Sequence, residues 1–198
     1  LNVHEYSQKH IFQPLQLTDT TYLPSDTLRK RCVATEKRGE EWMVGEVHDP
    51  RAFALGGIAG HAGLFSTAGD LSRYAQMMLR RGKWNDQQVL KPETIDLMIQ
   101  SYDVPRGQRG LGWDKKSGYS SNRGESMSSR AFGHGGFTGT AIWIDPELDL
   151  AVIFLSSRLH PDGKGTVNPL AGVVGTIAAN YARSNNAVTH SAKYRGEV

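Results

Sequence analysis

The sequence carries one cysteine, Cys32, in 198 residues, so no disulfide closes within it, and a lone thiol reads as a small buried apolar group. Histidine supplies no metal motif. Its seven copies, His4, His10, His48, His61, His134, His160 and His190, never stand in H-x-x-x-H or H-x-H spacing, and one cysteine builds no thiolate cluster. No metal is expected. No apolar run approaches the about 20 residues that a membrane-spanning helix needs, and no charged leader precedes an apolar segment at the start. Charge of one sign is also scarce: 23 Lys and Arg against 20 Asp and Glu leave +3. The densest basic cluster, Arg29-Lys30-Arg31, is too short for a nucleic-acid tract, so no nucleic-acid partner is expected.

What is present fits a globular protein: 38% apolar and 22% charged residues, enough to form a sizeable core. Leu1, Val3, Tyr6, Ile11, Phe12 and Leu15 share a loose helical face that Pro14 ends. Residues 17 to 51 show no sustained period and read as loop and short turns. Thr67-Ala68-Gly69-Asp70 approximates a capping box, and Leu71, Tyr74, Ala75, Met78 and Leu79 follow as a helical stripe that Gly82 stops. Pro92 opens a helix containing Ile95, Leu97, Met98 and Ile99. From Ser101 to Arg130 the composition turns to glycine, serine and charge. Ala141–Asp145 and Leu150–Leu155 are short β-branched and aromatic runs joined by Pro146-Glu147-Leu148-Asp149, the pattern of an antiparallel hairpin. Asn168 and Pro169 then open a helix whose Leu170, Val173, Val174, Ile177, Ala178 and Tyr181 form an apolar stripe, expected to pack on the hairpin's sheet. Beyond Arg183 a polar tail is expected.

Few motifs carry chemistry. Gly163-Lys164-Gly165-Thr166 lacks the Lys-Ser/Thr pair of a phosphate loop, and Gly57, Gly60 and Gly63 follow no strand, so nucleotide binding is not expected, nor is any other cofactor. Neither Gly-x-Ser-x-Gly nor Ser-x-x-Lys occurs, which leaves the chain without a recognisable serine nucleophile. Tyr119-Ser120-Ser121 is a short Tyr-x-Ser match in what reads as a mobile loop. The richest stretch is Phe132-Gly133-His134-Gly135-Gly136-Phe137-Thr138-Gly139, running into the hairpin. A histidine between glycines at a strand rim faces a ligand with little steric cover, although a turn histidine beside glycines needed for backbone geometry gives the same text.

Three runs occur in order: Phe12-Gln13-Pro14-Leu15-Gln16-Leu17-Thr18-Asp19-Thr20-Thr21, then Gly63-Leu64-Phe65-Ser66-Thr67-Ala68-Gly69-Asp70-Leu71-Ser72-Arg73-Tyr74, then Gly133-His134-Gly135-Gly136-Phe137-Thr138-Gly139 with Ile144-Asp145-Pro146-Glu147. Together they make the chain resemble the serine β-lactamase and penicillin-binding-protein superfamily, in its class C branch, from Leu1 to about Tyr181. The resemblance implies an α+β fold, an antiparallel sheet flanked by helices, present here as an incomplete C-terminal part. Residues 1–130 would be the later part of a helical region with loops. Residues 131–183 would hold the third-motif strand, the hairpin and the C-terminal helix, with the polar tail over 184–198.

The family's site has a Ser-x-x-Lys helix, a Tyr-x-Asn loop and a Lys-Thr-Gly or His-x-Gly strand, and only the third is found here. By position, His134 matches its cationic or proton-sharing residue and the Phe137 amide an oxyanion-hole donor. Gly135 and Gly136 would let a substrate backbone lie along the strand, and His61 would line the substrate pocket. The implied activity is acyl transfer through a serine acyl-enzyme, on a peptidoglycan peptide or β-lactam, in the periplasm or cell envelope, with the nucleophile and any membrane anchor upstream. A binding module without turnover and an esterase remain as alternatives. A sequence that opens inside an amphipathic pattern without Met reads as the later part of a longer polypeptide. The expected partner is therefore the N-terminal half of the same protein, covering an otherwise unpaired hairpin edge and a partly covered last helix.

Overall fold

The computed structural model describes the backbone of residues 1–193. The last five residues of the expected polar tail lie outside the described residues, and residues 184–193 continue the final helix. The chain divides into two compact units, one made of residues 1–91 and 155–166, the other of residues 92–154 and 167–198.

In the first unit, α1 (Val3–Ser7) begins with a full capping box. Asn2 Oδ1 accepts from the Glu5 amide at 2.9 Å, and the Asn2 amide donates to Glu5 Oε2 at 3.0 Å. A π-helical turn over Gln8–Phe12 continues α1; Phe12 at its end and Leu15 and Leu17 beyond it are buried. The segment expected to be loop contains α2 (Asp26–Arg29), a two-stranded sheet of β1 (Ala34–Arg38) and β2 (Glu41–Val44), and α3 (Pro50–Ala54). Helix α4 (Ala68–Leu79) starts where the sequence predicts, with Thr67 Oγ1 accepting from the Asp70 amide. The Asp70 carboxylate does not return to Thr67. It is nearly buried and accepts from the Asp19 amide and the Thr20 hydroxyl, both at 2.8 Å, tying the turn after Leu17 to the helix start. Ala75, Met77 and Met78 are the buried residues of α4 proper. A short hairpin of β3 (Lys83–Trp84) and β4 (Gln87–Gln88) follows.

The second unit is built on a six-stranded antiparallel sheet of order β10-β9-β8-β7-β6-β5. Helix α5 (Pro92–Ile99) leads into β5 (Tyr102–Val104), β6 (Gly107–Arg109) and β7 (Asp114–Ser117), three strands within the stretch rich in glycine, serine and charge. A 3₁₀ turn at Ser120–Asn122 precedes β8 (Phe132–Gly135). The predicted hairpin is β9 (Ala141–Asp145) and β10 (Leu150–Phe154), in register from Asp145 opposite Leu150 to Ala141 opposite Phe154. Asp145, fully buried, organises its turn by accepting from Ser128 N and Oγ at 2.7 and 2.6 Å and from the Glu147 amide at 3.1 Å. Lys115 is also buried, its ammonium bound to the carbonyls of Ile99 and Arg130. Loss of hydration pushes its pKa below the ordinary lysine value, with Arg123 and Arg130 adding to the effect.

Helix α6 (Asn168–Lys193) corrects one expectation about packing. The predicted apolar stripe does not face the sheet: Leu170, Val173, Ile177 and Tyr181 are 57, 54, 64 and 70% exposed. The packed face is the small one, Ala171, Gly175 and Ala179, which spaces residues four apart along one ridge. The reason is a backbone-to-backbone approach. A Cβ on Gly124 would overlap the Gly175 carbonyl carbon and the Thr176 nitrogen, and one on Gly175 would stand 2.9 Å from Gly124 N. Only side chains as small as these let α6 settle that close, and once there it holds Ala179 against Trp143, Met127 and Leu148. Large side chains on that face would force the helix away.

Candidate functional site

Strand β8 sits inside the sheet, but its two edges differ. On one side it pairs with β9 along its length, from Phe132 opposite Ile144 to Gly135 opposite Ala141. On the other, β7 begins at Asp114, opposite Gly133, and pairs at that position alone. Gly112, at φ +78°, takes the left-handed turn that carries the chain away from β8. No strand therefore flanks His134 and Gly135 on that side among the described residues.

His134 is half-buried. Its Nδ1 lies 2.7 Å from the Gly135 carbonyl oxygen, an acceptor, so Nδ1 carries the hydrogen. Its Nε2 is then an acceptor and faces Nη2 of Arg109 at 3.4 Å. Arg109, on β6, is the residue that sequence reasoning missed. Its guanidinium lies 5.1 Å from the centre of the exposed Tyr119 ring, and its Nε is 3.9 Å from the fully buried Asp114 carboxylate. Asp114 in turn accepts from the hydroxyls of Ser117 and Ser120 at 2.6 and 2.7 Å. The Tyr119-Ser120-Ser121 stretch is thus an anchored turn rather than a mobile loop. No sequence signal pointed to Arg109, because sheet order alone brings it to a histidine 25 positions away.

The glycines of the third motif have internal neighbours. A Cβ on Gly133 would overlap the Trp143 indole, one on Gly135 the Asn122 side-chain amide, and one on Gly136 the Thr140 hydroxyl. Asn122 Oδ1 accepts from Trp143 Nε1 at 2.9 Å, so the Asn122 amide and the Trp143 indole form one hydrogen-bonded backing behind Gly133 and Gly135. The chain then turns between β8 and β9, with the Gly136 amide donating to Thr140 O at 2.6 Å. Phe137 stands at this turn, 66% exposed.

His61 belongs to the first unit. Its Nε2 is 3.0 Å from Asp49 Oδ1, which also accepts from the Arg51 and Ala52 amides as the N-cap of α3. The Ala52 amide first, and His61 next, hold the Asp49 carboxyl below the ordinary carboxylate range. The local role of His61 is to buttress a helix cap. His134, Gly135, Gly136 and Phe137 are brought together by one strand and its turn, and His61 makes its contact elsewhere. Two surface concavities, of about 250 and 330 Å³, are lined by residues around Arg38 and Trp42 in the first unit and around Lys115 and Arg130 in the second. Neither includes a predicted site residue; the His134 surface is an open strand edge instead. Among the described residues no helix is long and apolar enough to cross a membrane.

Comparison with known proteins gives the same fold. The family model described as beta-lactamase matches residues 2–175. A putative D-alanyl-D-alanine carboxypeptidase of Escherichia coli O157:H7 is 33% identical over 78% of this chain and 40% of its own length. An N-acetylmuramyl-L-alanine amidase of Bacillus subtilis (strain 168) is 32% identical over 78% of this chain and 39% of its own. Among solved structures, a penicillin-binding protein homologue from Caulobacter crescentus aligns at a TM-score of 0.61 and 18% identity, over 90% of this chain and 52% of that one. A β-lactamase from Mycobacterium bovis aligns at 0.59 and 20%, over 92% and 57%. The chain thus spans about two fifths of the curated relatives it matches. With a matching family model over most of its length and an antiparallel sheet of the same fold, this chain belongs to the β-lactamase family.

Proposed function

We propose that the chain is the C-terminal part of a serine acyl-transfer hydrolase of the D-Ala-D-Ala carboxypeptidase or β-lactamase kind, working in the cell envelope through an acyl-enzyme whose serine lies on preceding polypeptide. The observation that carries the reading is the bare edge of β8 at His134 and Gly135. An extended peptide or an opened lactam lies along such an edge as an added strand, its scissile carbonyl toward the turn where the Phe137 amide serves as an oxyanion donor. The backing behind Gly133 and Gly135 keeps that edge straight before any ligand arrives. His134 contributes a fixed imidazole next to the reacting group. The test is labelling of the complete protein by a fluorescent penicillin. Covalent labelling that His134→Ala slows by about 10²-fold or more is the expected result for a group acting in proton transfer. No labelling, or labelling unchanged in the variant, rejects the reading.

The remaining polypeptide is also the proposed partner. The Leu170, Val173, Ile177 and Tyr181 face of α6 is exposed, and β10, at the end of the sheet, has no strand beyond it among the described residues. An exposed apolar helix face and an unpaired strand edge are both surfaces that another segment can cover. The matched relatives are more than twice as long as the stretch they share with this chain, which leaves room for such a segment.

A further inference from the structure

We propose that the concavity where the chain enters β8 is a phosphate-group site, in which Lys115 and Arg130 bind one tetrahedral oxyanion, free or carried on a small polar molecule. None of its residues belongs to the acyl-transfer site. Ser129 and Arg130 lead into β8 at Phe132, whereas His134 and Gly135 lie at the strand's other end.

Lys115, on β7, is 7% exposed, and a charge taken out of water is costly unless an opposite charge or a full set of acceptors meets it. Here the match is incomplete. Its ammonium donates to the carbonyls of Ile99 at 2.9 Å and Arg130 at 3.4 Å, and no carboxylate pairs with it among the described residues. An ammonium has three donors, so one remains. The charged groups around it make the surroundings more positive still: Arg123, whose Nη1 donates to the Lys115 carbonyl at 2.9 Å, and Arg130 both disfavour its charged form, on top of burial. The Asp145 carboxylate opposes them without pairing, because Ser128 N and Oγ and the Glu147 amide take up its oxygens. An added anion reverses the balance.

The concavity holds about 330 Å³ and is lined by Asp96, Ile99, Gln100, Ser101, Lys115, Ser129 and Arg130, all in the second unit. Ile99 is its one apolar side chain. The volume lies near the lower end of the range for small-molecule pockets, about 300–1,000 Å³, and the polar lining does not suit the apolar ligand that such pockets usually hold. The side chains of Gln100, Ser101, Ser129 and Arg130 make no hydrogen bond or ion pair among the described residues. Two cations therefore stand against the single Asp96 carboxylate, with two hydroxyls and an amide beside them. A phosphate group fits this set: it bears more than one negative charge, its oxygens point in several directions, and it takes lysine as a point charge and arginine as a fork. A carboxylate offers two coplanar oxygens and one charge, so it leaves more of these donors unmet.

The test is calorimetric titration of the complete protein with sodium phosphate, sn-glycerol 3-phosphate, glycerol and acetate, at an ionic strength held constant with chloride. Both phosphates are expected to bind saturably and about 10-fold or more tighter than acetate or glycerol. Which phosphate binds tighter tells whether the group arrives free or carried. Lys115→Met, which keeps the stem and removes the charge, is expected to weaken both phosphates about 10- to 100-fold, and Arg130→Gln about 10-fold. Lys164→Met, at an exposed lysine of the first unit, should leave binding unchanged. Absence of saturable phosphate binding overturns the proposal, as does acetate or glycerol binding as tightly, or phosphate binding that Lys115→Met or Arg130→Gln leaves intact. Arg130 is exposed, so Arg130→Gln decides the outcome if Lys115→Met fails to fold. Penicillin labelling is a separate measurement and bears on acyl transfer alone.

Discussion

Replacing Gly124 by alanine tests the reason α6 turns its small face inward. The added methyl would overlap the carbonyl carbon of Gly175 and the nitrogen of Thr176 and stand 2.7 Å from Gly175 O, all backbone atoms of the helix interior. Non-bonded carbons rest at about 3.5–4.0 Å, so α6 or the 124–127 segment must withdraw by about 1 Å. That movement stretches the Glu125 amide's bond to Thr176 Oγ1 at 3.0 Å and the Arg183 bonds to the Ser126 carbonyl, and loosens the contact of Ala179 with the Trp143 cluster. Overpacking of this kind costs about 1–3 kcal/mol, and each weakened hydrogen bond about 1 more. The entropy that alanine removes from the unfolded chain returns about 0.4–1 kcal/mol. The expected net loss is about 2–4 kcal/mol, measured as the shift in urea unfolding followed by far-ultraviolet circular dichroism. Gly118→Ala is the control, since nothing lies within 4 Å of a Cβ there and its backbone is not left-handed. A Gly124→Ala chain within about 0.5 kcal/mol of that control would refute the close approach as the cause of the helix setting.

Two further outcomes follow from single side chains. Burial pushes the Tyr74 hydroxyl up to about 12 from its ordinary 10.0. The folded state therefore keeps a proton that the unfolded state releases, so the stability is whole below pH 10 and falls as pH rises from 10 to 12. The loss is about 2–3 kcal/mol; Tyr74→Phe should flatten that decline in urea midpoints taken at several pH values, and an unchanged slope counts against it. Ile177→Lys, on the exposed face of α6, should leave unfolding free energy within about 0.5 kcal/mol of the unmodified chain in urea titrations. A loss above about 1.5 kcal/mol would mean that Ile177 is buried in the chain's own fold.

How much of this was legible depended on whether local pattern or sheet order decided the outcome. The β9–β10 hairpin and α4 were legible because their residues carry the signal themselves: β-branched runs around a four-residue turn, and a Thr67 cap before an apolar stripe. Strands β5 to β7 were not, since Tyr-Asp-Val, Gly-Gln-Arg and Asp-Lys-Lys-Ser are too short and polar to show a period, and they become strands by pairing outward from β8. For α6 the helix was legible but its packed face was not. Periodicity ranks faces by hydrophobicity, whereas Gly124 and Gly175 set this one by how closely two backbones can meet. The same limit governs the site. His134 announced itself through its glycines, and Arg109, arriving from two strands away, did not.

The glycines of β8 also explain why the candidate site can be ready without a ligand. In sequence they suggest freedom, a strand with nothing to hold it. In the fold each missing side chain is replaced from behind, Gly133 by the Trp143 indole and Gly135 by Asn122, and those two are joined by a 2.9 Å hydrogen bond. The strand is therefore bare on the side where a ligand strand would run and filled on the other. A surface held this way has little conformational freedom left to lose on binding, so more of the contact energy with any ligand strand would remain as affinity. Enlarging Gly133 or Gly135 would push the backing apart before it blocked a ligand, so disorder of the strand, rather than steric exclusion, is the physical reason those positions are glycine.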